Sequence, residues 1–458
     1  MSIMMELLSY RNSTRLIILN SILLLFSFST FSQDTLTIKE SDIKLPPVVR
    51  MLRAYGKDDE RLPPIIINDN KKNTANLPFG EDFITIEFDV DANVPPSFYA
   101  KFVHCSFDWR EDDNVFLNDI TLLRTSNIDW ESSPVMSSYY TYRGKLQVPN
   151  EQVKFPFAGN WKMKLYDLYD NETVFGEARF FVVNPKVESE MSLYSDFYEP
   201  ELKVTPSAFI IEILTSSLQP IYDTRLNTSV VYRNNRWFEP YFITESSSNL
   251  NALLYKYRFH TMVSGFSAAG KIFRISGIPA ENAYRILNLG NVAMFPNTST
   301  PVRLPLSDLR RNGIYFERDD DGAMITRYIT HNDDNYVNVE FLLDPEGWVS
   351  DYDVFVAGSF NNWKPDASWQ MYYDENDRYY HLRQLVRRGR HNYMYATGRF
   401  NFETGRVEKL AYDEYEGNTV TSGDTFIAMV YYREFDYGGY DALVGIAAAN
   451  IYGEIRKR

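Results

Sequence analysis

The side chains that most often carry chemistry are few and scattered in this 458-residue chain. Five histidines stand at positions 104, 260, 331, 381 and 391, and no two have the close spacing that puts a pair of zinc ligands on one helix face. With one cysteine, Cys105, both an internal disulfide and the common structural zinc sets are excluded. Cys105 lies in an apolar run and reads as a small buried hydrophobe. There is no G-x-S-x-G elbow and no phosphate-cradling glycine loop. Two acidic stretches, Asp319-Asp320-Asp321-Gly322 and Asp374-Glu375-Asn376-Asp377, lack the alternate spacing of calcium loops, and both read as hairpin turns. Glycoside hydrolysis needs two carboxylates at a set separation, and none of the 61 acidic residues is singled out as part of such a pair. The expectation is a protein that is not an enzyme, with no cofactor and no metal.

The elements that must position any functional side chain are strands. The chain holds 33 Tyr and 31 Phe among β-branched runs, and after the N-terminus no segment of helix length sustains a 3.6-residue apolar period. An all-β fold follows, and the length calls for more than one core. A net charge of −14 sets the surface against phosphate backbones and anionic lipid headgroups, so nucleic acid is not an expected partner.

Residues 1–32 read as a cleaved signal peptide. Arg11 and Arg15 flank the apolar run Leu16–Phe31, and cleavage after Thr30-Phe31-Ser32 leaves Gln33 first. Met4 or Met5 are alternative starts, and a retained anchor is the alternative fate; no cysteine follows the run, which argues against lipidation. Residues 33–78 form an extended arm held by Pro46-Pro47 and Pro63-Pro64, either lying along a sheet edge or reaching a partner.

The first β-sandwich is expected over 79–186. In Phe83–Val90 the residues Ile84, Ile86, Phe88 and Val90 share one face and Thr85, Glu87 and Asp89 the other, while Trp161, Met163 and Leu165 point inward from a later strand. A less regular middle β domain is expected over 187–332, with a hairpin across Gly313–Thr330. The last sandwich spans 333–458 and closes with Thr425–Tyr432 and Ala442–Ala449. The architecture is a series of immunoglobulin-like sandwiches of the early-set type.

In the last domain a strand, Asp351–Gly358, runs into the turn Gly358-Ser359-Phe360-Asn361-Asn362-Trp363. This G-x-F-N-x-W turn resembles that of early-set glycogen- and starch-binding modules. The resemblance implies a sugar-binding role for Asn362, Trp363 and Lys364, with Phe400 the nearest candidate for a second aromatic platform. The alternative for Trp363 is that it folds back to cap its own sandwich.

A second resemblance spans nearly the whole chain after the leader. His104-Cys105-Ser106-Phe107-Asp108-Trp109, Ser137–Tyr142, Leu146–Asn150, Ala158-Gly159-Asn160-Trp161 and Phe180–Val183 follow in an order similar to that of the plug proteins of the Bacteroidota type IX secretion system. Gly270–Arg274 and Gly313-Ile314-Tyr315 continue it. It implies a non-enzymatic, monomeric periplasmic protein that is peripheral to the outer membrane and meets the membrane only through its partner. That partner is the giant translocon barrel, which the protein seals when no cargo passes. The alternative function is periplasmic carbohydrate binding through the last domain. Abundant exposed aromatics would suit an interface, although aromatic-rich cores account for the composition equally well.

Overall fold

Strand pairing in the computed structural model arranges the chain in six sheets that face one another as three sandwiches. The described residues are 46–68, 77–119, 121–137, 139–170, 172–195, 208–217, 226–244, 248–267, 270–297, 300–304, 307–311, 321–418 and 422–455. The expected leader, the start of the arm, Gly313-Ile314-Tyr315 and Asp319-Asp320 fall outside them.

In the first sandwich, one sheet has the order Val48–Gly56, Ile84–Asp91, Tyr142–Val148, Asp129–Ser132. The opposing sheet has the order Ile65–Ile67, Gly176–Val183, Gly159–Asp167, Phe98–Cys105, Arg124–Thr125. Period-two alternation aims Ile84, Ile86, Phe88 and Val90 at Trp161, Met163, Leu165 and Phe180 across a shared core. The arm is part of this sandwich. Val48–Gly56 pairs antiparallel with Ile84–Asp91, and Ile65–Ile67 pairs parallel with Gly176–Val183. The sandwich thus takes in strands well before position 79, because apolar stretches of the arm complete sheet edges that would otherwise stay unpaired.

The second and third sandwiches interleave along the chain, so the expected division at 332 does not follow the sheets. The second joins a sheet of Val187–Ser195, Ala208–Ser217, Gly270–Pro279 and His260–Ser267 to one of Tyr241–Ile243, Asn227–Arg233, Phe426–Glu434, Tyr440–Asn450 and Gly453–Glu454. The strands expected to close the last domain therefore pair with the middle one, Asn227–Arg233 against Phe426–Tyr432. Conversely, Arg285–Asn288 pairs with Arg390–Asn401, and Val302-Arg303 and Asp308-Leu309 run parallel to Tyr336–Asp344 in the third sandwich. Alternation announces a strand but is blind to its partner.

Two seams bind the sandwiches together. Cys105, Phe181 and Val183, on the outer face of the first sandwich, pack on Val230, Tyr232, Ile427, Met429 and Tyr431 of the second. Trp109 Nε1 donates to Tyr232 OH at 2.8 Å, and Tyr431 OH donates to Asn160 Oδ1 at 2.6 Å across this seam. The runs Phe180–Val183 and Phe426–Val430 are apolar without alternation because both of their faces are buried. Cys105 lies within the seam, where burial pushes its thiol up to about 12, so it behaves as the expected inert hydrophobe. The second seam is ionic.

Candidate interaction surface

The turn at Gly358–Trp363 points into the protein. Asn362 and Trp363 both adopt left-handed backbone, φ 54° and 56°. The Trp363 side chain is 1% exposed. Its Nε1 donates to Gly322 O at 2.9 Å, its ring lies 4.6 Å from that of Tyr284, and the Arg236 guanidinium sits 5.4 Å from it. Asn362 Nδ2 donates to Leu52 O at 2.8 Å, reaching the first sandwich. Lys364 covers the Phe238 ring at 5.1 Å, and burial pushes its ammonium pKa down. No face of the Trp363 indole is left for a stacked sugar ring, whereas Asn362 is half-buried and Lys364 is exposed. Trp363 instead folds back on Ala357, Met394, Ala396 and Leu410 of its own sandwich, and Arg236, from the loop after Asn227–Arg233 of the second sandwich, covers it. Phe400 lies elsewhere, edge-on to Phe402 at 5.0 Å.

The ionic seam explains why Thr85, Glu87 and Asp89, expected on an outward face, are 8% exposed or less. Three guanidiniums, Arg53, Arg143 and Arg387, meet four carboxylates, Glu60, Glu87, Asp89 and Asp334. Arg387 Nη2 lies 3.1 Å from Asp334 Oδ2, while its Nη1 donates to Glu87. Arg53 Nη2 lies 2.7 Å from Glu60 and 3.3 Å from Glu87, and Arg143 Nε lies 2.7 Å from Asp89. Tyr336 OH donates to Asp89 at 3.0 Å, and Tyr140 OH to the Asp334 carbonyl at 2.7 Å. Burial alone would raise the Glu87 carboxyl, but Arg387, Arg53 and Arg143 outweigh it and hold the group well below the usual carboxylate range. A cleft of about 460 Å³ opens over this network, with His331 and Glu131 paired at 2.9 Å among its lining residues. The sequence offered no hint of the network, because its members come from positions as far apart as 53 and 387.

His391 belongs beside it. The ring is fully buried, with Nε2 donating to Arg387 O at 2.7 Å and Nδ1 accepting from Ser359 Oγ at 3.2 Å. Burial, reinforced by the Arg53 and Arg387 cations, pushes its pKa down to about 4. The unfolded chain takes up this proton near pH 6.5 and the folded one only near 4, so between these values the unfolded state binds more protons. His391 should therefore cost the fold stability as pH falls through that window, by about 1.4 kcal/mol per unit at most. Urea midpoints from pH 7 to 4.5 should decline in the wild type and decline less steeply in His391→Gln. Equal slopes would mean that the imidazole titrates in the fold as it does in the unfolded chain.

The remaining histidines are dispersed. His104 Nδ1 bonds Asp112 at 2.6 Å and its Nε2 faces Ala158 O at 3.1 Å; His260 is exposed on an edge strand. Among the described residues the ligand-type atoms that come together are those of Asp374, Asp377 and His381, within 4.8 Å of one another. Asp377 already accepts from His381 Nε2 at 3.0 Å, and Asp374 accepts from Asn376 N at 2.8 Å in the expected turn.

Three of the exposed aromatics lie on two loops that meet, the one after Cys105 and the one before Tyr440. Val115, Phe116, Phe435 and Tyr437 are 76%, 64%, 72% and 58% exposed. Asn114 ties the loops together: its Oδ1 accepts from Phe116 N at 3.0 Å, and its Nδ2 donates to Tyr437 O. Phe157 supports them edge-on, 5.1 Å from Tyr437 and 5.3 Å from Tyr440. Asp113 and Asp436 stand exposed in the same loops, and no described cation pairs with either. Arg110 and Arg433 are engaged by Asp108 at 2.7 Å and Asp441 at 3.1 Å.

Residues 64–184 match the family model described as the first domain of the type 9 secretion system plug protein. The first sandwich is similar to that domain. The match begins one residue before Ile65–Ile67 and ends one residue after Gly176–Val183, so it covers every strand of the first sandwich except the edge strand Val48–Gly56. The crystal structure of a hypothetical protein from Parabacteroides merdae ATCC 43184, at 2.30 Å resolution, aligns with a TM-score of 0.67 at 21% identity. The alignment covers 89% of this chain and 99% of that one, so the two share a fold through most of the chain. No curated protein matches the chain.

Proposed function

We propose that the protein is a non-enzymatic stopper that docks on the periplasmic mouth of the type 9 outer-membrane translocon barrel and closes the channel between cargo passages. The plug-domain match carries this reading. Its physical support is that the second and third sandwiches alternate along the chain and that an apolar and an ionic seam join the first to them. A body that blocks a wide pore must resist deformation as a unit, and separating these sandwiches would expose the apolar seam and strip buried charges of their partners. The protein works as a periplasmic monomer after loss of residues 1–32, and it reaches the outer membrane through the barrel alone. No helix among the described residues is long and apolar enough to cross a membrane.

An affinity pull-down tests this. With a C-terminal tag and a native envelope solubilised in mild detergent, a very large outer-membrane barrel should copurify in near one-to-one amount. Recovery of the tagged protein with no outer-membrane barrel would remove the reading.

A further inference from the structure

Within the stopper reading, on which this inference rests, we propose that the docking surface is the aromatic patch of Val115, Phe116, Phe435 and Tyr437, and that it takes a barrel segment presenting apolar side chains flanked by lysine or arginine. Three independent features point there. The first is the grouping itself: four large apolar side chains, each more than half exposed, lie on two loops distant in sequence and pinned together by Asn114. Apolar side chains scattered singly over a surface need no explanation, but four on two loops held against each other do.

The second feature is the backbone beneath Tyr437. This residue holds φ +54°, a conformation that disfavours a bulky side chain, and Gly438 and Gly439 follow at φ +86° and +88°. Glycine or asparagine would occupy the position with less strain. The ring spends much of its area on solvent, so its packing on Phe157 accounts for only part of what it contributes to the fold.

The third feature is charge. Asp113 and Asp436 stand exposed beside the patch, and the adjoining cations are turned to Asp108 and Asp441. A rim of unpaired carboxylates repels an anionic headgroup surface, and it repels the same patch on a second copy of this chain. It attracts a cationic partner edge, while the aromatic centre supplies desolvation energy at low conformational cost. Apolar centre and acidic rim together specify an apolar segment with basic flanks.

The test compares full-length tagged variants in the same pull-down, scoring the large barrel recovered per bait molecule. Phe116→Ser combined with Tyr437→Ser should lower recovery about tenfold or more, the loss typical of removing central anchors. Phe402→Ser, an equally exposed aromatic on the Asn401–Arg406 turn, should leave recovery unchanged. Asp113→Lys with Asp436→Lys should reduce it as well, and raised salt should bring the wild type toward that level. Circular dichroism and urea midpoints verify folding, and Val115→Ser with Phe435→Ser replaces the first pair if that pair is destabilised. A photo-crosslinker at position 116 should attach to the barrel. Wild-type capture of the barrel with undiminished capture by both serine pairs would overturn the patch and leave the stopper reading intact. Failure of the wild type to capture the barrel would remove both. Crosslinks confined to a second copy of the chain would assign the patch to self-association instead.

Discussion

Replacing Arg387 with alanine is expected to destabilise the protein by about 3–5 kcal/mol, the range for removing one partner of a buried ion pair. Glu87 and Asp89 come from the first sandwich and Asp334 from the approach to the third, and Arg387 lies between them. Burial disfavours the Arg387 cation, yet Glu87, Asp89 and Asp334 more than compensate, and its pKa stays well above the ordinary value. Without it, Glu87 keeps only Arg53 and Arg143, and Asp334 keeps only Arg143. Arg387→Lys should recover little of the loss, because one ammonium cannot reproduce a fork that engages Glu87 and Asp334 at once. Urea denaturation gives the magnitude, and calorimetry should also show the first sandwich melting ahead of the other two. A loss below about 1 kcal/mol with one transition preserved would mean that this seam is a surface contact rather than a structural joint.

Trp363→Ala carries the second large effect, about 3–5 kcal/mol by the usual cost of deleting a buried aromatic. The change empties the space between Tyr284, Met394, Leu410 and Tyr412 and leaves the Gly322 carbonyl without its indole donor. Trp363→Phe should recover much of the packing and forfeit the hydrogen bond, a smaller loss of about 1–3 kcal/mol. Binding to insoluble starch provides an independent check. Retention of the wild type, with a stable but unretained alanine variant, would restore the sugar role and contradict the enclosed indole.

A substantial part of this protein was legible before any coordinates. Phe83–Val90 and Gly159–Leu165 disclosed their strands through alternation, and Asn362 in the G-S-F-N-N-W turn disclosed a left-handed backbone that Trp363 unexpectedly shares, while Gly358 is extended. The ordered motifs from His104 to Val183 disclosed the likeness that the family model matches over residues 64–184. Each of these signals is local, lying within one strand, one turn or one ordered set of short phrases. What the chain could not reveal by itself is which surfaces meet. Thr85, Glu87 and Asp89 look solvent-facing by period, and Trp363 looks like a ligand platform by type. Glu87 and Asp89 become interior because the third sandwich arrives with Arg387, and Trp363 because it folds onto Ala357, Met394 and Leu410 of its own sandwich beneath Gly322 and Tyr284. The strands Phe426–Glu434 and Tyr440–Asn450 likewise read as the end of the last domain, yet they pair with Asn227–Arg233 some two hundred residues earlier. Periodicity encodes which side of a strand is apolar. Partner choice depends on long-range complementarity of packing and charge, and that was decided only in three dimensions.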